Sequence, residues 1–479
     1  MTDFSFYWHD YETFGADPSR DRPSQFAGIR TDSDFNIIGE PLVIFCKPAA
    51  DALPQPEACL ITGITPQQAL EKGVCEADFI RQIHAEFSQP GTCAVGYNSI
   101  RFDDEVSRYT LYRNFYDPYA REWQNGNSRW DIIDMLRVCC ALRPQGINWP
   151  THDDGTPSFK LEHLTAANGI SHESAHDALS DVHATIAMAR LVKQKQPKLF
   201  DYLLKLRSKH EVASMLSVVE KTPLLHTSAM VSSLHFCTTL IIPLALHPTN
   251  KNGVICYDLA VDPEPLLSLD ADQIIERLYT PAAELPEGVA RIPLKIIHTN
   301  RCPVVVTSKL LDESVAERIQ LDLPAARQHY QQLVKAQGLA EKLAEVFAER
   351  SFPERTDPDV MLYSGGFFGQ NDKAVMAQVR SSSPDELREH RFVFEDVRLD
   401  EMLFRYRARN YPEALSEEEL LRWDEFRYHR LTDSDAGGSI GMEEFLETVQ
   451  ALLSDEGCSE RDQAILEQLQ DYSDSLLAQ

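Results

Sequence analysis

The chain has 479 residues, 43% of them hydrophobic and 25% charged, the balance of a globular protein too long for one ordinary core. A formal net charge of −28 argues against indiscriminate nucleic-acid binding. It leaves room for a local basic groove, because eight acids and one arginine of the excess fall between Phe445 and Gln479.

The chain opens without a basic segment leading into an apolar run, and no stretch is apolar enough to span a bilayer. Neither a leader nor a membrane span is therefore expected. Ten cysteines without a Cys-x-x-Cys pair predict reduced, mostly buried thiols and a cytoplasmic protein, not structural zinc.

In chain order, an aromatic strand over Phe4 to Tyr11 is followed by strand patterns at Gln25 to Thr31 and Leu42 to Cys46. Phe79 to Phe87 has helical spacing, and Thr92 to Tyr97 reads as a buried strand. Helical patterns follow at Asp103 to Asn114, Ile132 to Ala141, Leu161 to Ala167 and Asp177 to Gln194, so residues 1–192 read as an α/β domain. After a polar, proline-bearing exit at Lys193 to Lys198, short strand patterns appear at Leu234 to Leu246, Val254 to Leu259, Ile292 to Ile297 and Pro303 to Thr307. Helices at Glu313 to Gln320 and Ala325 to Glu349 close a β-rich domain over 197–350. Residues 353–479 read as all-helical, with apolar spacing at Asp400 to Arg409, Ser416 to Tyr428, Met442 to Leu453 and Arg461 to Leu477.

Four acids and one histidine carry the chemistry. Asp10 and Glu12 lie two apart on the first strand, so they face the same side. Asp103 follows Gly-Tyr-Asn, and Asp181 lies in a helix for which Asp177 is the candidate N-cap. Together they predict a carboxylate cage for two divalent cations roughly 3.5–4 Å apart, sharing Asp10. Hard oxygen donors favour Mg²⁺, with Mn²⁺ as a substitute. His176, just ahead of that helix, has a pKa suited to taking a proton from attacking water.

These segments, His9-Asp-Tyr-Glu-Thr-Phe, Gly96 to Glu105 and Ala175 to Asp181, resemble the DEDDh exonuclease superfamily. Phe115-Tyr-Asp-Pro-Tyr, Ser128-Arg-Trp-Asp-Ile-Ile-Asp, Ala141-Leu-Arg-Pro-Gln-Gly, Asp201-Tyr-Leu and Tyr406-Arg-Ala-Arg-Asn narrow the resemblance to the bacterial exodeoxyribonuclease I family. That resemblance implies a ribonuclease H-like domain with a mixed sheet, then an SH3-like barrel, then a helical domain. It implies a monomer that removes 5′-mononucleotides from the 3′ end of single-stranded DNA, in repair and recombination. Glu12 and Lys160 would contact the terminal nucleotide, with Arg108, Tyr119, Trp123 and Arg137 along the strand path. Cations that neutralise phosphates and aromatic faces that stack bases fit this path, although packed aromatics and solvated helix charges are the plainer reading of each alone.

The resemblance also implies docking of the acidic tail of single-strand DNA-binding protein, with Arg143, Tyr202 and Arg318 as pocket candidates. Two rival functions are an RNA-trimming exonuclease and a catalytically silent DNA-binding scaffold. Asp433 to Glu444 nearly reproduces an EF-hand loop, but glycine stands at its fifth position where an oxygen ligand belongs, so a calcium-free interhelical loop is expected.

Overall fold

The computed structural model describes residues 4–172, 177–348 and 355–478. The chain forms two compact units: 1–128, 172–183 and 353–479 in the first, and 129–171 and 184–352 in the second.

In the first unit, β1 (Ser5–Thr13), β2 (Pro23–Thr31), β3 (Leu42–Phe45) and β4 (Thr92–Gly96) form a mixed sheet in the order β3-β2-β1-β4. β1 runs antiparallel to β2 and parallel to β4. A central strand is covered on both faces, which explains its run of aromatics. Tyr7 and Tyr11 pack on Phe26, Phe79, Ile83 and Phe87, while Trp8 on the other face meets Phe35 and donates to the Thr31 hydroxyl at 2.9 Å. The helices are α1 (Pro56–Thr62), α2 (Pro66–Lys72), α3 (Glu76–Phe87) and α4 (Asp103–Arg113). Only the last two are legible in the sequence; α1 and α2 each begin at a proline and are too short to show a period.

The C-terminal helices of this unit build two cores against the α/β region. Phe445, Leu466 and Leu469 pack with Phe14, Cys59 and Ile64, and Leu399, Met402 and Tyr406 with Tyr109, Tyr112 and Phe115. The helix Glu417–Thr432 opens with a reciprocal capping box between Ser416 and Glu419.

Buried ion pairs link the same regions. Asp51, wholly buried, receives Arg409 Nε and Nη2 at 3.0 and 2.7 Å, and Arg409 also reaches Asp359 at 2.7 Å.

β5 (Ser128–Asp131) comes next in the chain. The second unit holds an antiparallel sheet in the order β10-β6-β7-β8-β9: β6 (Leu224–Thr227), β7 (Thr238–Leu246), β8 (Gly253–Asp258), β9 (Leu294–His298) and β10 (Val304–Thr307). β7 starts later than expected because Ser233–His235 form a tight turn and Phe236 and Cys237 adopt positive φ. The helix expected over Ala325 to Glu349 is two, Leu323–Lys335 and Leu339–Val346, separated at Gly338 with φ of 69°. All ten cysteines are free and seven are buried. Among the described residues no helix is long and apolar enough to cross a membrane.

Candidate active site

Asp10 and Glu12 share the face of β1 opposite Tyr7 and Tyr11, as the two-residue period requires. The register of β1 against β2 shifts between Glu12 and Thr13, ending regular pairing beside the acid. After β4, Gly96 is required by close approach: a Cβ there would stand 2.5 Å from that of Ser99. Asn98 takes the left-handed conformation, with φ of 61°, and the chain turns into α4 at Asp103. Three acids, Asp103, Asp104 and Glu105, occupy the first turn of α4, where the helix dipole favours negative charge.

Two bonds dock that turn on β1. The Tyr11 N–H donates to Asp103 Oδ1 at 3.0 Å, and the Ser107 hydroxyl donates to the Tyr11 oxygen at 3.0 Å. Asp104 is held by Arg121 at 2.7 Å. The fourth acid arrives on the helix Ala178–Lys195, whose first turn carries Asp181. Asp177 behaves as the expected cap, accepting from the Ser180 N–H through Oδ2 at 3.3 Å.

Asp10, Glu12 and Asp181 offer carboxylate oxygens within 4.8 Å of one another. Among the described residues this is the group of acids, histidines or cysteines with metal-ligand spacing, and it is the right donor set for hard cations. Asp103 stands outside that tight trio; one of its oxygens is committed to the β1 backbone. His176 lies outside the described residues.

The electrostatics match a site that awaits positive charge. Burial, then the charges of Asp103, Glu12 and Asp181, raise Asp10 well above the usual carboxylate range. Burial, then Asp181, Asp103 and Asp177, push Glu12 up to about 9. Asp177 thus belongs to the acidic field as well as capping the helix, a role the sequence reading did not give it. His172 was also missed: its Nε2 lies 2.5 Å from Asp181 Oδ1. No spacing signal marks it, since it precedes the helix on which Asp181 sits. A cleft of about 700 Å³ opens at Glu12, lined by Thr13, Arg20, Gln55, Phe102 and Ser439 among others.

The expected DNA contacts divide into committed and presented side chains. Arg108 is 5% exposed, with its guanidinium bonded to Glu122, Glu105 and the Tyr363 hydroxyl, and it lies 5.3 Å over the Tyr119 ring. Trp123 is 65% exposed. In the second unit, Arg137 pairs with Asp134 at 2.6 Å over the Phe159 ring, and Lys160 is largely exposed at the start of the helix Leu161–Ala167.

Two of the partner candidates meet the end of the helix Ile133–Leu142. Arg318 donates to the Ala141 carbonyl at 2.7 Å and Arg143 to that of Leu142 at 2.6 Å, cations at the negative end of a helix. Tyr202 donates to the Val305 carbonyl at 3.2 Å. In the 433–444 loop, Asp433 is used locally, accepting from the Asp435 N–H.

Three family models match in tandem: Exonuclease over 7–189, Exonuclease I SH3-like domain over 207–349 and Exonuclease I C-terminal domain over 356–476. The chain is 47% identical over its whole length to the whole of the exodeoxyribonuclease I of Haemophilus influenzae. It is similar to the solved exonuclease I of Methylocaldum szegediense, with 53% identity, a TM-score of 0.95, and 99% of this chain and 100% of that one covered. A zinc-bound complex of the Escherichia coli exonuclease I with single-stranded DNA matches at 46% identity, TM-score 0.94 and the same coverage.

Proposed function

Since the chain belongs to the exodeoxyribonuclease I family, we propose that it removes 5′-mononucleotides one at a time from the 3′ end of single-stranded DNA, in DNA repair and recombination. The observation that carries this reading is the convergence of Asp10, Glu12 and Asp181, from a strand and a helix far apart in sequence, within 4.8 Å. In this reading Asp10, Glu12, Asp103 and Asp181 hold two Mg²⁺ ions, with Mn²⁺ able to substitute. When bound, such ions lower the pKa of water and stabilise the charge on the scissile phosphate and leaving oxygen.

The chain's own groups do the remainder. His176 takes the proton of the attacking water. Glu12 and Lys160 orient the terminal nucleotide, and Arg108, Tyr119, Trp123 and Arg137 guide the strand behind it. The exposed Trp123 indole supports that role most directly, because base stacking needs an open aromatic face. The protein acts as a cytoplasmic monomer, and Arg143, Tyr202 and Arg318 receive the acidic tail of single-strand DNA-binding protein.

The test is a digest of single-stranded DNA labelled at the 3′ or the 5′ end, with matched duplex and RNA arms, in Mg²⁺ or in chelator. Label released first from the 3′ end of single-stranded DNA, only with Mg²⁺, is expected. Preferential loss of RNA, or hydrolysis in chelator, refutes the assignment.

A further inference from the structure

We propose that His172 is the positioning residue of the cation cage, holding Asp181 in the rotamer that lets it meet Asp10 and Glu12. The inference rests on the preceding reading of those three acids as cation ligands. Asp10 and Glu12 are carried by a strand held in register there by β2, opposite Ala27 and Gln25, so their direction is set by the sheet. Asp181 reaches them from a different element, and its backbone is fixed by its own N–H bond to the Asp177 carbonyl at 3.0 Å. A helix fixes where a side chain starts, not which rotamer it takes.

Mutual repulsion favours turning Asp181 away from the other two acids. The His172 imidazole opposes that swing. Its Nε2 is 2.5 Å from Asp181 Oδ1, and the ring is 4% exposed, so water competes little for the bond. A carboxylate has two oxygens and about four lone-pair sites, so one such bond leaves capacity for a cation. Histidine and carboxylate commonly orient each other around metals in this way, and loss of the orienting partner typically costs about 10–100-fold in metal affinity or activity. With its Nε2 engaged by Asp181, His172 acts through that acid and not on the substrate.

The test compares the full-length parent, H172A, H172L and H172Q. Leucine fills the same buried space without a donor, and glutamine restores one at similar reach. Mn²⁺ binding is measured by calorimetry without DNA, and Mg²⁺ is titrated in the single-strand digest. Folded H172A and H172L are expected to bind Mn²⁺ about 10–100-fold more weakly and to need correspondingly more Mg²⁺. Their kcat should recover at saturating Mg²⁺ with KM for DNA unchanged, and H172Q should lie near the parent.

If H172A does not fold, H172L decides the matter alone. Parent-like Mn²⁺ binding by H172L overturns the inference. So does a kcat loss that saturating Mg²⁺ leaves in place, which would mark a role in proton transfer. A parent that itself binds no Mn²⁺ overturns the metal reading and this inference together, whereas normal binding by both parent and H172L removes this inference alone.

Discussion

Neutralising Glu12 should stabilise the cation-free protein while disabling it. Burial and the neighbouring acids move Glu12 from 4.5 up to about 9, so between those values the folded state binds more protons than the unfolded one. Stability from this group is therefore fully present below about pH 4.5 and is lost as pH rises toward about 9. At about pH 7.5 the cost is at most three pH units at about 1.4 kcal/mol each, or about 4 kcal/mol. Because several acids share the repulsion, about 2–4 kcal/mol is the expected gain for E12Q, which keeps the shape and removes the charge. Thermal and urea unfolding of parent and E12Q in chelator should show E12Q more stable near pH 8, with the advantage shrinking near pH 5. Added Mg²⁺ should close the gap near pH 8, because an ion that binds only the folded parent stabilises it by mass action. An E12Q protein no more stable than the parent in chelator near pH 8, or equally favoured at both pH values, would refute the reasoning.

Asp10→Ala should abolish single-strand hydrolysis yet leave strand binding measurable by fluorescence anisotropy; unchanged hydrolysis would remove Asp10 from the mechanism. Asp51→Ala should cost about 1–3 kcal/mol in urea unfolding, because buried Arg409 loses two charge-assisted hydrogen bonds and keeps Asp359 as its remaining acid. The paired arginines hold the Asp51 carboxyl well below the usual carboxylate range, so its contribution is present above about pH 4 and lost on further acidification. The parent should thus lose stability below about pH 4 more steeply than D51A. Trp123→Ala should leave the melting temperature unchanged, since the indole is 65% exposed, and should weaken single-stranded DNA binding by about 1–3 kcal/mol, read by anisotropy.

Period and local chemistry were readable in the chain alone. The two-residue spacing of Asp10 and Glu12 put them on one strand face, and Asp177 marked a helix start, because strand alternation and capping depend on neighbours in sequence. The short helices α1 and α2 left too few residues to show a period, and the break at Gly338 depended on one backbone angle.

Tertiary structure alone decided which acids meet. Asp10, Glu12 and Asp181 converge, while Asp103 spends an oxygen on the β1 backbone and His172 reaches Asp181 from outside its helix. It also decided that Arg108 is enclosed by Glu105, Glu122 and Tyr363, and that Asp51 pairs with an arginine 358 positions away. Such contacts join residues with no common period, and distance along a chain says nothing about distance in space until the sheet and helices have packed.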